Sequence, residues 1–273
     1  MSARRPVRKP VATTPVWVLP AAVVAGLALI VAAFLVIRWY TTPLPPKPPT
    51  EDTTAKILST VTSLPSSEFD AVGQGTANNL IKPVSGSTLT GASGKPQLLY
   101  IGAEYCPYCA AQRWPLIIAL SRFGTFSGLQ TTTSSSSDVY PNTVTFTFRS
   151  STYSSQYIDF RAVETLDRDQ NALQTPSASD QAQLNRYDSG GTIPFLDFAG
   201  HYASTGAFYG PDSISGMSWL AIADVLQQQD SPQARAIVGS ANLITAAICK
   251  VDQDQPASVC SSATIQNLEK NLK

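Results

Sequence analysis

The strongest pattern of apolar positions along the chain is a continuous run near its N-terminus. Residues 16–37 are uncharged and almost wholly apolar. A helix of that length spans about 33 Å, which is enough to cross a hydrocarbon core of about 30 Å. The flanking cations are concentrated before the run, at Arg4, Arg5, Arg8 and Lys9. By the positive-inside rule, the sequence predicts a single transmembrane helix with a cytoplasmic N-terminus and a C-terminal domain outside the cytoplasm.

A cleavable signal peptide is the alternative interpretation of the same run. Its apolar region would be shorter and would end in a cleavage site made of small residues. Residues 34–40 read Phe-Leu-Val-Ile-Arg-Trp-Tyr and contain no such site. We therefore expect the helix to be retained as a signal-anchor in the cell membrane.

Changes in composition divide the chain into four segments. These are a cytoplasmic basic tail (1–15), the transmembrane helix (16–37), a Pro-rich linker (38–52) and an extracytoplasmic domain (53–273). Five prolines fall between positions 41 and 49, and such a spacer is stiff and extended.

The hydrophobic pattern of the domain alternates between strand and helix signals. An apolar run over 98–103 predicts a strand, and a stripe of apolar residues over 110–123 predicts the helix that follows it. Residues 143–148 and 157–163 both alternate between apolar and polar positions, which predicts two strands joined as a β-hairpin. Further helices are expected over 177–187, 234–248 and 263–272 and around Trp219, with short strands over 192–198 and 202–209.

Composition excludes several classes of function. Acidic and basic residues number 19 each and charged residues make up only 14% of the chain, so there is no electrostatic case for binding nucleic acid. A single histidine, His201, argues against a zinc enzyme built on several imidazoles and against most histidine-based triads. We expect His201 to be a surface residue.

Two cysteines three positions apart, Cys106 and Cys109, carry the clearest chemical signal. They fall between the predicted strand and the predicted helix, where backbone N–H groups and the helix dipole would face the first sulfur. That environment lowers a thiol pKa and favours the thiolate that attacks disulfides. In an exported domain, which lies in an oxidising compartment, such a pair indicates redox chemistry or structural pairing rather than metal binding.

The order of elements around this pair resembles that of the thioredoxin-like superfamily. Tyr105 stands where the lead-in tryptophan of thioredoxins usually stands, the Pro107–Tyr108 dipeptide is typical of glutaredoxins, and 192–194 resembles the loop that holds a cis-proline. More closely, residues 53–265 resemble an uncharacterised family of membrane-anchored, thioredoxin-like proteins of unknown function, through the stretches 106–126, 141–173 and 240–260. The resemblance implies an α/β thioredoxin-like fold with a β-hairpin insertion (about 134–175) and extra C-terminal helices (about 232–273).

The resemblance also implies roles for individual residues. Cys106 would be the exposed nucleophile and Cys109 the resolving thiol. A substrate groove would be formed by Pro107, Tyr108, Ile193 and Pro194, with Pro194 in the cis form.

The acid that thioredoxins carry near the cysteine pair is missing from its usual position in this chain. Thioredoxin has a buried acid six positions before its first cysteine, and Tyr100 occupies that position here. Glu104 is the nearby candidate for proton transfer, although lead-in glutamates of this kind are expected to be solvated.

The remaining cysteines, Cys249 and Cys260, are expected to form a structural disulfide that ties the C-terminal helices together. A second redox pair that passes electrons to the first is the alternative.

The function predicted from the sequence is a membrane-anchored thiol–disulfide oxidoreductase acting through Cys106 and Cys109. Its partners would be exported protein thiols or disulfides and a separate redox partner, and the chemistry implies no organic cofactor or metal. The alternative is a redox-inert binding or scaffold module whose disulfides are structural.

Overall fold

The computed structural model describes residues 18–41 and 44–272 and divides into two compact units. The basic tail and the first two residues of the predicted membrane span lie outside the described residues. The first unit contains α1, Val18–Thr41, and the second begins at Pro43.

Helix α1 is long and apolar enough to cross a membrane. Its segment Val23–Thr41 has a mean hydropathy of 2.2 and no buried residues. A signal sequence near an N-terminus can be equally long and apolar. The helix continues past the predicted end at residue 37 and reaches Thr41.

The second unit is a mixed α/β structure. Its helices are α2 Glu51–Thr62, α3 Ser66–Val72, α4 Pro107–Leu120, α5 Ala178–Tyr187, α6 Trp219–Val225, α7 Pro232–Val251, α8 Ala257–Cys260 and α9 Ala263–Glu269. Its strands are β1 Lys82–Pro83, β2 Gln97–Gly102, β3 Gly124–Ser127, β4 Gln130–Thr133, β5 Val144–Thr147, β6 Thr152–Ser155, β7 Asp159–Glu164, β8 Phe195–Phe198 and β9 Tyr202–Thr205. A 3-10 helix at Pro211–Ile214 precedes α6.

Strand β2 is an inner strand of a five-stranded sheet with the order β1-β9-β8-β2-β7. It pairs in parallel with β7 and antiparallel with β8, so that Ile101 lies beside Val163 on one side and Phe195 on the other. Leu99 and Ile101 face one apolar cluster, while Leu98 and Tyr100 face the main core. Because both faces are covered, β2 is apolar at successive positions instead of alternating.

The predicted β-hairpin between 143–148 and 157–163 is wrong in its pairing, although both segments form strands. Strand β5 pairs with β4 and β6 pairs with β3, in two separate two-stranded sheets. Strand β7 instead joins the central sheet beside β2. The alternating pattern identified the strands, but the partner of each was set by contacts distant in sequence.

Helices α4 and α7 form the centre of the unit. Every residue of α4 except Tyr108 is buried. Helix α7 has a mean hydropathy of 1.3, yet 83% of its apolar window is buried inside the fold, which makes it a core helix. The C-terminal segment is therefore part of the main core and not an appendage to it.

Side-chain contacts show that α4 and α7 run in the same direction. The 3-10 helix joins their N-terminal ends, because Gln233 donates to the Ser213 carbonyl (3.1 Å) and the adjoining Tyr209 hydroxyl donates to the Ala111 carbonyl (2.8 Å). Just past the C-terminal end of α4, Arg122 donates to the Thr245 hydroxyl (3.4 Å).

Cys249 and Cys260 form a disulfide, as predicted, with 5.6 Å between their Cα atoms. Both residues are buried. The bond ties the last turn of α7 to α8, and so it lies at the end of the helix pair opposite to Cys106.

Candidate functional site at Cys106 and Cys109

Cys106 is the N-cap residue of α4. Its backbone is extended (φ −77°, ψ 122°), and its Sγ accepts a hydrogen bond from the backbone N–H of Cys109 at 3.4 Å. Pro107 occupies the first helical position, where its fixed φ and missing N–H favour the start of a helix. The local sequence therefore places one sulfur at the positive end of the helix.

The two thiols are free and differ in exposure. Cys106 is buried with only 7% of the residue exposed, so the expectation of an exposed nucleophile is wrong, and Cys109 is fully buried. A hydrogen bond from the Cys109 thiol, helped by the Cys109 backbone N–H and the charge of Arg113, lowers the pKa of Cys106 to about 7 against the effect of burial. Burial and the neighbouring Cys106 sulfur raise the pKa of Cys109 well above its usual value. The pair thus combines one thiol that ionises near neutral pH with one that stays protonated.

A buried ion pair lies beside the two cysteines. The Arg113 guanidinium donates from Nε to Glu164 Oε1 (2.8 Å) and from Nη2 to Glu164 Oε2 (2.5 Å), and both side chains are fully buried. Nη2 also donates to the Ala103 carbonyl (2.8 Å), which anchors the guanidinium to the loop that leads to Cys106. Bidentate pairs of this kind hold the charge in a fixed orientation.

Sequence reasoning did not single out Arg113 or Glu164. The signal that could have found them is a cation inside an almost wholly apolar helix and an acid at the end of a predicted inner strand, since neither is buried without a partner.

Tyr100 lies at the base of the site. Its ring centroid is 5.9 Å from the Arg113 guanidinium carbon, and burial raises its pKa well above the usual value, so it is a neutral phenol. Its hydroxyl has no hydrogen-bond partner among the described residues. A Cβ at Gly102 would collide with that hydroxyl, so the glycine provides the space for it.

Glu104 is buried, and the expectation that it is solvated is wrong. Only 7% of the residue is exposed, and its Oε1 accepts a hydrogen bond from the Thr147 hydroxyl at 2.6 Å. Its backbone N–H donates to the Leu166 carbonyl (2.9 Å). Strand β5, whose partner was mispredicted, supplies the threonine that shields this carboxylate.

The Ile193–Pro194 peptide bond is cis, as expected. Pro194 is buried, and its carbonyl accepts a hydrogen bond from Gly206 N–H at 2.8 Å. The pairing of Ile101 with Phe195 places Pro194 across from Gly102, at the edge of the sheet from which the loop to Cys106 departs. Ile193 is half-buried.

Tyr108 is the exposed member of the predicted groove. It is 43% exposed, and its ring packs edge-on against Tyr140 with 6.3 Å between centroids. Tyr140 belongs to the loop between β4 and β5, and Ser135 of that loop donates a backbone hydrogen bond to the Tyr105 carbonyl (2.8 Å). This loop therefore forms a wall beside the cysteine pair.

The other candidate residues lie away from this site. His201 is exposed and its ring Nε2 lies 3.2 Å from the Thr88 hydroxyl, as expected for a surface residue. Within residues 18–41 and 44–272, His, Cys, Asp and Glu side chains form no group of three or more that could hold a metal ion.

One family model matches this chain. It is that of a domain of unknown function, DUF929, and it covers residues 83–186 and 185–250, which is more than half of the chain. The chain belongs to the DUF929 family. The predicted membership of an uncharacterised family is thereby confirmed.

The DUF929 match begins at the end of β1 and runs to the last turn of α7. It contains both members of the cysteine pair and of the buried ion pair, together with Pro194, and it ends between Cys249 and Cys260. Helix α1 lies outside it. No curated protein and no solved structure matches the chain.

Proposed function

We propose that this DUF929 protein is a membrane-anchored thiol–disulfide oxidoreductase with a thioredoxin-like fold that acts outside the cytoplasm. The observation that carries the proposal is the asymmetry of the cysteine pair. Cys106 lies at a helix N-terminus, is 7% exposed and has a pKa of about 7. Cys109 lies fully buried one turn later with a raised pKa.

The arrangement of elements around the pair supports the thioredoxin-like assignment. A central strand, β2, leads directly into the cysteine pair and α4, and a parallel neighbour, β7, follows. The antiparallel β8 and β9 complete that side of the sheet, and the cis-proline lies immediately before β8. Strand β1, the small sheets β3–β6 and β4–β5, and helix α7 are additions to that arrangement.

The reaction begins with attack by the Cys106 thiolate on one sulfur of a substrate disulfide. That disulfide bond breaks, the leaving sulfur takes a proton from solvent, and a mixed disulfide joins Cys106 to the substrate. Cys109 then gives its proton to solvent and attacks Cys106 Sγ. The bond between Cys106 and the substrate breaks, and the released second substrate sulfur takes up a proton. The substrate disulfide is reduced by two electrons and the Cys106–Cys109 pair is oxidised, and the reverse sequence oxidises a substrate dithiol.

Arg113 and Glu164 act through their charges in this scheme and touch no substrate. The Arg113 guanidinium favours the thiolate form of both cysteines. Glu164 fixes the guanidinium in place and offsets part of its charge. Tyr100, a neutral phenol, does not replace the carboxylate found at this position in thioredoxins.

The distribution of charge supports the proposed side of the membrane. Four cations precede the apolar helix, and by the positive-inside rule this bias favours an extracytoplasmic domain. In that compartment the natural partners are thiols and disulfides of exported proteins and a separate protein that restores the redox state of the pair.

Trapping of a mixed disulfide tests the proposal directly. Full-length Cys109→Ser protein is expressed in the native membrane, free thiols are blocked, and non-reducing gels are probed for the protein. Cys106 should then appear in adducts that disappear on reduction, and the Cys106→Ser/Cys109→Ser control should show none.

A redox titration of the wild type separates the oxidoreductase from the scaffold. An exchangeable pair should equilibrate in a glutathione series at a potential above about −300 mV. A pair that resists reduction throughout the series, together with an empty trapping experiment, would leave the redox-inert scaffold as the better account.

A further inference from the structure

We propose that a pocket between the Pro-rich segment and β4 is a binding site for a small carboxylate ligand with an apolar body. The pocket has a volume of about 320 Å³ and is lined by Pro45–Pro48, Thr131–Thr133, Arg168 and Trp219. This inference goes beyond the proposed redox function, because neither the cysteine pair nor the buried ion pair lines the pocket.

The charge of the lining is of one sign. Among the described residues that line the pocket, Lys47 and Arg168 are the ionisable ones and none is acidic. Neither cation forms an ion pair with a carboxylate in residues 18–41 and 44–272. An unpaired positive lining favours an anionic ligand.

Two buried polar atoms on residues of the lining have no hydrogen-bond partner among the described residues. One is Arg168 Nε, whose guanidinium makes a single bond from Nη2 to Asn142 Oδ1 at 3.1 Å. The other is the hydroxyl of Thr133, a residue that is only 5% exposed. Both atoms are closed to solvent in this structure, so an acceptor oxygen reaches them only when the lining shifts. Because a buried polar group without a partner is costly, a ligand oxygen that bonds them would be stabilised.

The remaining walls are apolar. Trp219 is 3% exposed, and its indole N–H is already used by the Thr145 carbonyl at 2.6 Å, so the ring offers only its apolar surface to a ligand. Three of the four residues of the Pro45–Pro48 segment are prolines. Ligand sites commonly combine such apolar walls with a few polar groups, and the planar Arg168 guanidinium matches a carboxylate better than a point charge would.

Benzoate is a suitable probe, because it combines a carboxylate with a flat apolar ring. We expect saturable one-to-one binding when benzoate is titrated calorimetrically into the full-length protein in neutral detergent. Inorganic phosphate, which has the charge without the apolar body, should bind more weakly.

Two variants locate the binding. Thr133→Val removes the unpartnered hydroxyl at nearly constant volume, so it should weaken benzoate binding about tenfold without lowering the thermal midpoint. Arg168→Gln should weaken binding by at least about tenfold, since it removes a charge-assisted bond. The matched controls, Arg149→Gln and Thr125→Val, alter exposed residues outside this lining and should leave binding unchanged.

The proposal is overturned if benzoate gives no saturable binding, or if phosphate binds more tightly than benzoate. It is equally overturned if Thr133→Val retains full affinity, or if Arg149→Gln weakens binding as much as Arg168→Gln does. The binding assay involves no thiol chemistry, so its outcome is independent of whether Cys106 exchanges disulfides.

Discussion

Removing Arg113 and removing Glu164 should move the pKa of Cys106 in opposite directions. Arg113→Met leaves the Glu164 carboxylate alone near the cysteine pair, which disfavours a thiolate and raises the Cys106 pKa. Glu164→Leu leaves the guanidinium without its counter-charge, which favours the thiolate and lowers that pKa. In the double variant both charges are gone, and the pKa should lie between the values of the two single variants.

The size of the effect is bounded by the causes of the Cys106 shift. A pKa of about 7 in place of the usual 9.0 corresponds to about 3 kcal/mol in favour of the thiolate. Two hydrogen bonds from Cys109 contribute more to that shift than the charge of Arg113 does. We therefore expect each single substitution to move the Cys106 pKa by no more than about one pH unit.

The same variants should differ in stability. A charge left alone in a buried site costs about 3–5 kcal/mol, whereas loss of both partners together is often close to neutral. Arg113 and Glu164 are both fully buried, so the double variant should be more stable than either single one. Arg113→Lys keeps the charge and should leave the Cys106 pKa near its wild-type value.

The assay is the pH dependence of thiolate absorbance near 240 nm in the reduced protein, paired with thermal unfolding of each variant. Arg161→Met is the matched control, because Arg161 on β7 makes a similar two-bond pair with Asp180 but is 44% exposed. It should leave the Cys106 pKa unchanged and cost less stability than either single variant, because one partner of this pair is exposed. Shifts of the same sign in Arg113→Met and Glu164→Leu would refute the electrostatic reasoning, since general loosening of the site moves both alike.

Three further predictions concern the cysteines and Tyr100. Because the Cys106 pKa is lowered in the folded state, its thiolate stabilises the fold as pH rises, and that contribution is lost as pH falls through 7. The free energy of unfolding of the reduced wild type, measured in urea relative to Cys106→Ser, should rise by roughly 2 kcal/mol between pH 6.5 and 8.5. A difference that does not change with pH would contradict the shift. Replacement of both Cys249 and Cys260 by serine opens a loop of 11 residues and should lower the free energy of unfolding in denaturant by about 3 kcal/mol. The alkylation rate of Cys106 should stay unchanged. A slower alkylation rate would instead link this disulfide to the pair formed by Cys106 and Cys109. Tyr100→Phe should keep stability within about 1 kcal/mol of the wild type and preserve the disulfide exchange rate, because the lost hydroxyl has no hydrogen-bond partner among the described residues. Gly102→Ala should instead lower the thermal midpoint sharply, because its Cβ would collide with that hydroxyl. A Tyr100→Phe protein that folds but no longer exchanges disulfides would show that the phenol takes part in proton transfer.

The sequence predicted the elements that hold the cysteine pair because their signals are local. The apolar run before Cys106 and the Pro at the first helical position are short-range features, and both β2 and α4 formed within a few residues of the predicted bounds. The disulfide and the cis-proline were likewise predicted from spacing and from the resemblance.

Pairing between distant segments could not be derived in the same way. The alternation over 157–163 has the same period whether the strand pairs with its neighbour in sequence or with β2, and it is β2 that lies beside it. For the same reason Glu164 gave no signal of its role, since only the parallel register brings it level with Gly102 and within reach of Arg113. The burial of Glu104 depends on Thr147 in β5, another strand whose partner was mispredicted.

The proposed chemistry of the pair relies on the hydrogen bonds from Cys109 and on the positive charge of Arg113 rather than on a carboxylate. Residue 100 is a tyrosine, so no carboxylate at that position can accept the proton of the Cys109 thiol. Arg113 instead favours the ionised form of the Cys109 thiol, because a guanidinium fixed by Glu164 and the Ala103 carbonyl stabilises a thiolate once it forms. Attack by Cys106 should therefore be efficient near neutral pH, where its thiolate is already populated, while resolution by Cys109 should be the slower step and should accelerate as pH rises. The proposed function therefore predicts a mixed disulfide that accumulates in the wild-type protein at pH 7 and decays faster at pH 8.5.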